Sequence, residues 1–117
     1  MKDYSLPQLE EMLMEYANRA YLADKEYEHA KEEYQVLDDN YKITFALLTT
    51  EREEKSEAAK ERITLISDKW REYVLTYANA RKEKGKWFVE QKNCDRMVDV
   101  LRTLISSKRK ELDRLGG

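Results

Sequence analysis

One histidine, one cysteine and a basic stretch near the C-terminus are the residues with chemistry to offer in this 117-residue chain. His29 stands among acidic neighbours, and Cys94 falls on an apolar stripe. A Cys–His nucleophile needs the two side by side, whereas these are expected on opposite faces of an antiparallel helix pairing, and a thiol buried in apolar surroundings is unreactive. A single histidine without cysteine neighbours does not make a metal site. No glycine-rich phosphate loop is present. The many carboxylates sit on highly charged segments and are expected to be solvated. The chain is therefore expected not to be an enzyme, with no catalytic residue, no metal and no cofactor.

Charge is distributed unevenly beneath a net value of −2. Residues 81–117 hold eleven Lys and Arg against six Asp and Glu, so the C-terminal third is a basic arm and the rest is acidic. By helical position Lys82, Lys92, Arg96 and Lys110 share an outward face, with Arg81, Arg102 and Arg109 on its shoulder. Such a row can hold phosphates without regard to sequence and with strong salt dependence. It can equally be a solvated face, or pair with the acidic half of a neighbouring subunit. Eight tyrosines add a second option, since exposed rings stack nucleic-acid bases. Tyr27, Tyr34 and Tyr41 recur at intervals of seven in phase with the apolar stripe, which points to core rings whose hydroxyls reach the edge.

The elements that must position these groups follow from spacing. Leu6, Leu9, Leu13, Tyr16, Ala20, Ala23, Tyr27, Ala30, Tyr34, Leu37, Tyr41, Thr44 and Leu48 alternate in steps of three and four. The alternation resumes at Ala59 and continues through Ile63, Ile66, Trp70, Tyr73, Tyr77, Ala80, Lys84, Trp87, Gln91, Cys94, Val98, Leu101, Ile105, Lys108 and Leu112 to Leu115. Two helices zipped along one seam need this pattern. The expected fold is all-α: a single domain forming a long antiparallel helical hairpin of coiled-coil type. Helix one is placed at about residues 6–50, the turn at about 51–57 and helix two at about 58–114. The competing arrangement is one unbroken helix of about 105 residues, roughly 160 Å long.

Capping residues support these limits. Ser5 before Pro7 suits an N-cap, and Ser56 before Glu57-Ala58-Ala59-Lys60 suits another, while Thr50 with Glu53 has the form of a capping box. Gly85 in mid-helix costs roughly 1 kcal/mol relative to alanine and would mark any kink, although the seam stays in phase across it. Gly116-Gly117 ends helix two. A fold-back near residues 53–55 sets Tyr27 near Ala80, Ala30 near Tyr77, and Ala20 across from the stretch Gly85 to Trp87. Apolar residues flank the seam at Met12, Ala17, Phe45, Leu47, Val74, Phe88, Met97 and Leu104, a wider stripe than two helices bury. Self-association into a four-helix or larger bundle is therefore expected. Lys84, Gln91 and Lys108 in seam positions either set register, line a hydrated gap, or bend toward solvent.

Composition agrees. A charged content of 39% and a mean hydropathy of −0.90 are too polar for a compact globule but suit a narrow seam. No apolar run approaches a membrane span, Met1-Lys2-Asp3-Tyr4-Ser5 lacks a signal-peptide core, and a lone cysteine fits a reducing compartment. A soluble intracellular chain is expected.

The segment Ser56-Glu57-Ala58-Ala59-Lys60, the run Ser67-Asp68-Lys69-Trp70-Arg71-Glu72-Tyr73, the small pair Ala78 and Ala80, and the closing run from Leu101 to Glu111 resemble small helical bacteriophage accessory proteins of the UvsY recombination-mediator type. The resemblance covers about the last 60 residues. It implies a non-enzymatic cytoplasmic protein of an infected bacterium that oligomerises, binds single-stranded DNA and assists a recombinase. Carried onto this chain, the DNA contacts fall on Lys82, Lys84, Lys86, Lys92, Arg96, Arg102, Lys108, Arg109 and Lys110. The acidic first arm departs from what a strand would tolerate. Two alternatives remain: an inhibitor that binds a host nuclease or anti-phage defence complex, and a plain coiled-coil scaffold.

Overall fold

The computed structural model describes residues 3–116; Met1, Lys2 and Gly117, with the expectations that touch them, lie outside the described residues. Among these residues the fold is all-α, in the order α1 (Leu6–Asp39), α2 (Tyr41–Thr50), α3 (Glu57–Ile66) and α4 (Asp68–Gly116). Residues 51–56 form the non-helical turn, which excludes an unbroken rod. The chain divides into two compact units, one of residues 1–27 with 86–117 and one of residues 28–85.

Caps explain where helices begin. At the start of α1 the Gln8 amide N–H donates to the Ser5 hydroxyl over 3.3 Å, and the Ser5 N–H donates to the Gln8 side-chain oxygen over 2.8 Å, a reciprocal capping box. Ser56 has extended backbone, and its hydroxyl accepts from the Ala59 N–H over 3.1 Å. The expected box of Thr50 with Glu53 does not form. Thr50 is still helical and its hydroxyl donates to the Ala46 carbonyl, so Ser56 opens the return arm of the hairpin.

Both long helices carry a one-residue interruption that the seam pattern did not show. Asn40 separates α1 from α2; its side-chain amide and its backbone N–H both donate to the Val36 carbonyl, at 2.7 and 3.1 Å. A side chain bonding its own backbone in this way competes with regular helix. Ser67 separates α3 from α4 with ψ at 149°, fully extended. Its hydroxyl donates to the Thr64 carbonyl and accepts from the Trp70 N–H, so one residue ends one helix and caps the next. Gly85, the suspected kink, interrupts nothing: α4 stays helical through it.

In the unit of residues 1–27 and 86–117, Leu9, Leu101 and Ile105 form the buried core, and Leu13, Tyr16 and Leu104 pack around them. Each fully buried Leu or Ile contributes roughly 1.5–3 kcal/mol. Ala23 and Cys94 are buried along the same stripe. The pairing is antiparallel: Asp3 meets Lys108, Arg19 meets Glu90 and Tyr27 meets Phe88.

In the unit of residues 28–85, α2 packs on α3 and the end of α1 packs on the start of α4. Trp70 is its centre, 6% exposed, with the rings of Tyr41 and Phe45 edge-on at 5.1 and 5.0 Å and Tyr73 stacked on it at 5.5 Å. The register differs from that expected. Tyr77 meets Tyr34 instead of Ala30, a shift of about one helical turn that leaves the same stripe facing inward. Ile66 is displaced from the seam, 64% exposed beside the break at Ser67, and Thr64 takes the inward place at 0%. The Thr64 and Thr49 hydroxyl oxygens lie 3.1 Å apart, and each also reaches the carbonyl four residues back, Lys60 at 2.9 Å and Phe45 at 2.8 Å.

Two stability outcomes follow. A methyl at Gly85 meets nothing within 4 Å, so Gly85→Ala should raise urea-unfolding stability by about 0.5–1 kcal/mol. Thr49→Val or Thr64→Val alone should cost about 1 kcal/mol by removing the buried hydroxyl contact together with one bond to a carbonyl, and the double variant should cost at least about 0.5 kcal/mol less than the two singles together, because the shared contact is lost only once.

Candidate functional site

The nine basic candidates lie along α4, and the structure sorts them. In the unit of residues 1–27 and 86–117, Lys86, Lys92, Arg96, Arg102 and Lys110 are exposed. Lys86 and Lys92 lay their ammonium groups near the Trp87 and Phe88 rings, at 5.0 and 5.4 Å, while staying open to solvent. Lys108 is half-buried and reaches Asp3 at 3.5 Å, and Arg109 donates to Glu10 at 3.4 Å. These two charges are engaged by the acidic arm of the same chain, so the exposed row in this unit is shorter than the one implied by resemblance. In the other unit Lys82 is exposed and Lys84 half-buried, its Nζ 4.5 Å from the Tyr34 ring centre.

The three polar seam residues all find partners across the pairing. Lys84 lies over Tyr34, Gln91 donates to Asp24 at 2.7 Å, and Lys108 meets Asp3. Register-setting contacts thus account for them, since a polar group on a seam is tolerated when it bonds across it.

Cys94 is buried, and its thiol donates to Glu90 at 3.4 Å. Burial, then that carboxylate, push the thiol above its usual pKa, which disfavours thiolate chemistry. Glu90 also accepts from Arg19 at 2.8 Å; this bond, followed by the one from Cys94, holds its carboxyl below the usual range. His29 is exposed in the unit of residues 28–85, with Nε2 3.1 Å from Glu33. It borders a groove of about 650 Å³ with Glu32, Glu33, Val36 and Glu83. Among the described residues no group of three His, Cys, Asp or Glu is placed to hold a metal, and no helix is long and apolar enough to cross a membrane.

The same unit holds a hydroxyl relay that the sequence pattern does not show. Tyr77 donates to Asp38, and its oxygen is 3.3 Å from that of Tyr34. Because the Tyr77 proton is committed to Asp38, Tyr34 is the donor to Tyr77. The bond to Asp38 pushes the Tyr77 phenol above its ordinary pKa, because the carboxylate holds the proton in place. Tyr73 donates to the Leu37 carbonyl nearby. The heptad spacing of tyrosines places such rings at the seam edge, but the acceptors depend on the register.

No family model, no curated protein and no solved structure matches the chain, so its role rests on these residues.

The Glu90 carboxylate gives a signed pH effect. Its pKa is lower folded than unfolded, so its contribution is complete above the ordinary glutamate range and disappears as pH falls through the folded value. Between about pH 6 and about pH 3 the native chain should therefore lose more stability than Glu90→Gln in parallel urea titrations.

Proposed function

We propose that this chain is a non-enzymatic accessory protein of phage type that self-associates and holds single-stranded DNA through the exposed cations of α4. The observation that carries the reading is the set Lys86, Lys92, Arg96, Arg102 and Lys110, exposed on one unit while the acids Asp3 and Glu10 of that unit are occupied by Lys108 and Arg109. The departure posed by the acidic arm is thereby reduced, since part of its charge is neutralised within the chain. Resemblance of the C-terminal half to recombination mediators supports the same function, with the recombination machinery as a further partner. Self-association is supported by apolar side chains left open on the other unit, among them Val36, Ile43, Leu47 and Leu65.

A second reading has its own observation. The acidic groove bordered by Glu32, Glu33 and Glu83 with Val36 on its edge suits a basic protein surface, as an inhibitor of a host nuclease or defence complex would offer. A plain scaffold needs the apolar face alone.

Fluorescence polarisation with an unstructured oligonucleotide distinguishes these. If about five phosphates are neutralised, affinity should fall about a hundredfold between 50 and 200 mM salt, and Arg96→Ala with Arg102→Ala should each lower the log–log slope by about 0.7. Absence of a shift at low salt, or a slope unchanged in the double variant, defeats the DNA reading. Nuclease-resistant capture of a stoichiometric host protein then favours inhibition.

A further inference from the structure

The unit of residues 28–85 has a second groove, of about 610 Å³, in which Tyr41 and Tyr77 stand beside Lys42, Arg81, Asp38 and Asp39. Tyr41 is the open edge of the aromatic cluster: its ring lies 5.1 Å from Trp70 and 5.4 Å from Tyr77, yet it remains 39% exposed. The surrounding charges are arranged unusually. Asp38 accepts the Tyr77 hydroxyl and Asp39 accepts from the Gln35 amide at 2.8 Å, so neutral donors engage both carboxylates. Among the described residues neither Lys42 nor Arg81 forms an ion pair, although acids line the same groove. Val74 and Ala78 supply apolar wall.

A supported aromatic ring with an open side, an apolar wall and two uncommitted cations match the two halves of a nucleotide, a flat π-face and a phosphate. We infer that this groove is a nucleotide-binding site, in which an unpaired base packs against Tyr41 and its phosphate is held by Lys42 and Arg81. Asp38 and Asp39 supply only acceptors, which suits a base edge carrying an amino group, and adenine is the probe of choice for that reason. The site deepens the DNA reading and rests on it, adding a base contact to the sequence-independent phosphate contacts of the exposed α4 row. A base contact of this kind is insensitive to salt, whereas the phosphate contacts are not.

The test is an NMR titration of the full chain with dAMP, following the Tyr41 ring resonances assigned through Tyr41→Phe. A saturable upfield shift is expected from base stacking. Lys42→Ala combined with Arg81→Ala alters two exposed side chains, so circular dichroism should be unchanged while dAMP affinity falls at least about tenfold. A short oligo-dA should compete for the same shift, which identifies the strand, and not the free nucleotide, as the ligand. The inference is overturned by no saturable shift at Tyr41, by equal affinity in the double variant, by an identical shift from inorganic phosphate alone, or by an oligonucleotide that does not compete. Arg96→Ala with Arg102→Ala should leave the dAMP shift intact while reducing the oligonucleotide salt slope, so the groove and the row can fail separately.

Discussion

Everything in this molecule depends on burying a stripe only one or two side chains wide. A chain with 39% charged residues has little apolar surface to remove from water, and a lone helix with such a stripe is marginal. Folding back lets one stripe cover the other, as Leu9, Leu101 and Ile105 do in one unit and the ring cluster around Trp70 does in the other. The remaining surface stays wet and charged, which is where binding chemistry has to reside.

The two units solve the same burial problem with different materials. Aliphatic side chains fill the first, with Ala23 and Cys94 buried where bulk is low. The second uses rings, whose hydroxyls need acceptors: Asp38 for Tyr77 and the Leu37 carbonyl for Tyr73. Polar seam positions follow the same logic. Lys84 over Tyr34, Gln91 on Asp24 and Lys108 on Asp3 each tie a specific pair of positions, so they resist slippage that aliphatic contacts alone would permit.

Periodicity made the stripe and the hairpin legible, and Ser5 and Ser56 announced the helix starts through ordinary capping chemistry. Register was not legible, because sliding one helix by a turn leaves the same stripe facing inward and exchanges only which residues touch; Tyr77 therefore met Tyr34 instead of Ala30. The joint at Ser67 had a signal in Ser67-Asp68, the same Ser-acid pair that marks Ser56-Glu57, but the seam runs through it in phase. Asn40 had no comparable signal, since its effect comes from a bond to the Val36 carbonyl. At the candidate row, sequence placed the cations on α4; whether Lys108 and Arg109 stay open depended on Asp3 and Glu10 in the opposite arm.

The single-residue joints at Asn40 and Ser67 enclose α2, the turn and α3 as a piece of about two dozen residues carried on α1 and α4. Inside it the buried Thr49–Thr64 contact is local in sequence, so the piece can close early in folding, and Tyr41 and Phe45 then lock it onto Trp70 of α4. The apex is thus a cassette with a key: any replacement has to bring rings equivalent to Tyr41 and Phe45, or the stem loses the cover over Trp70.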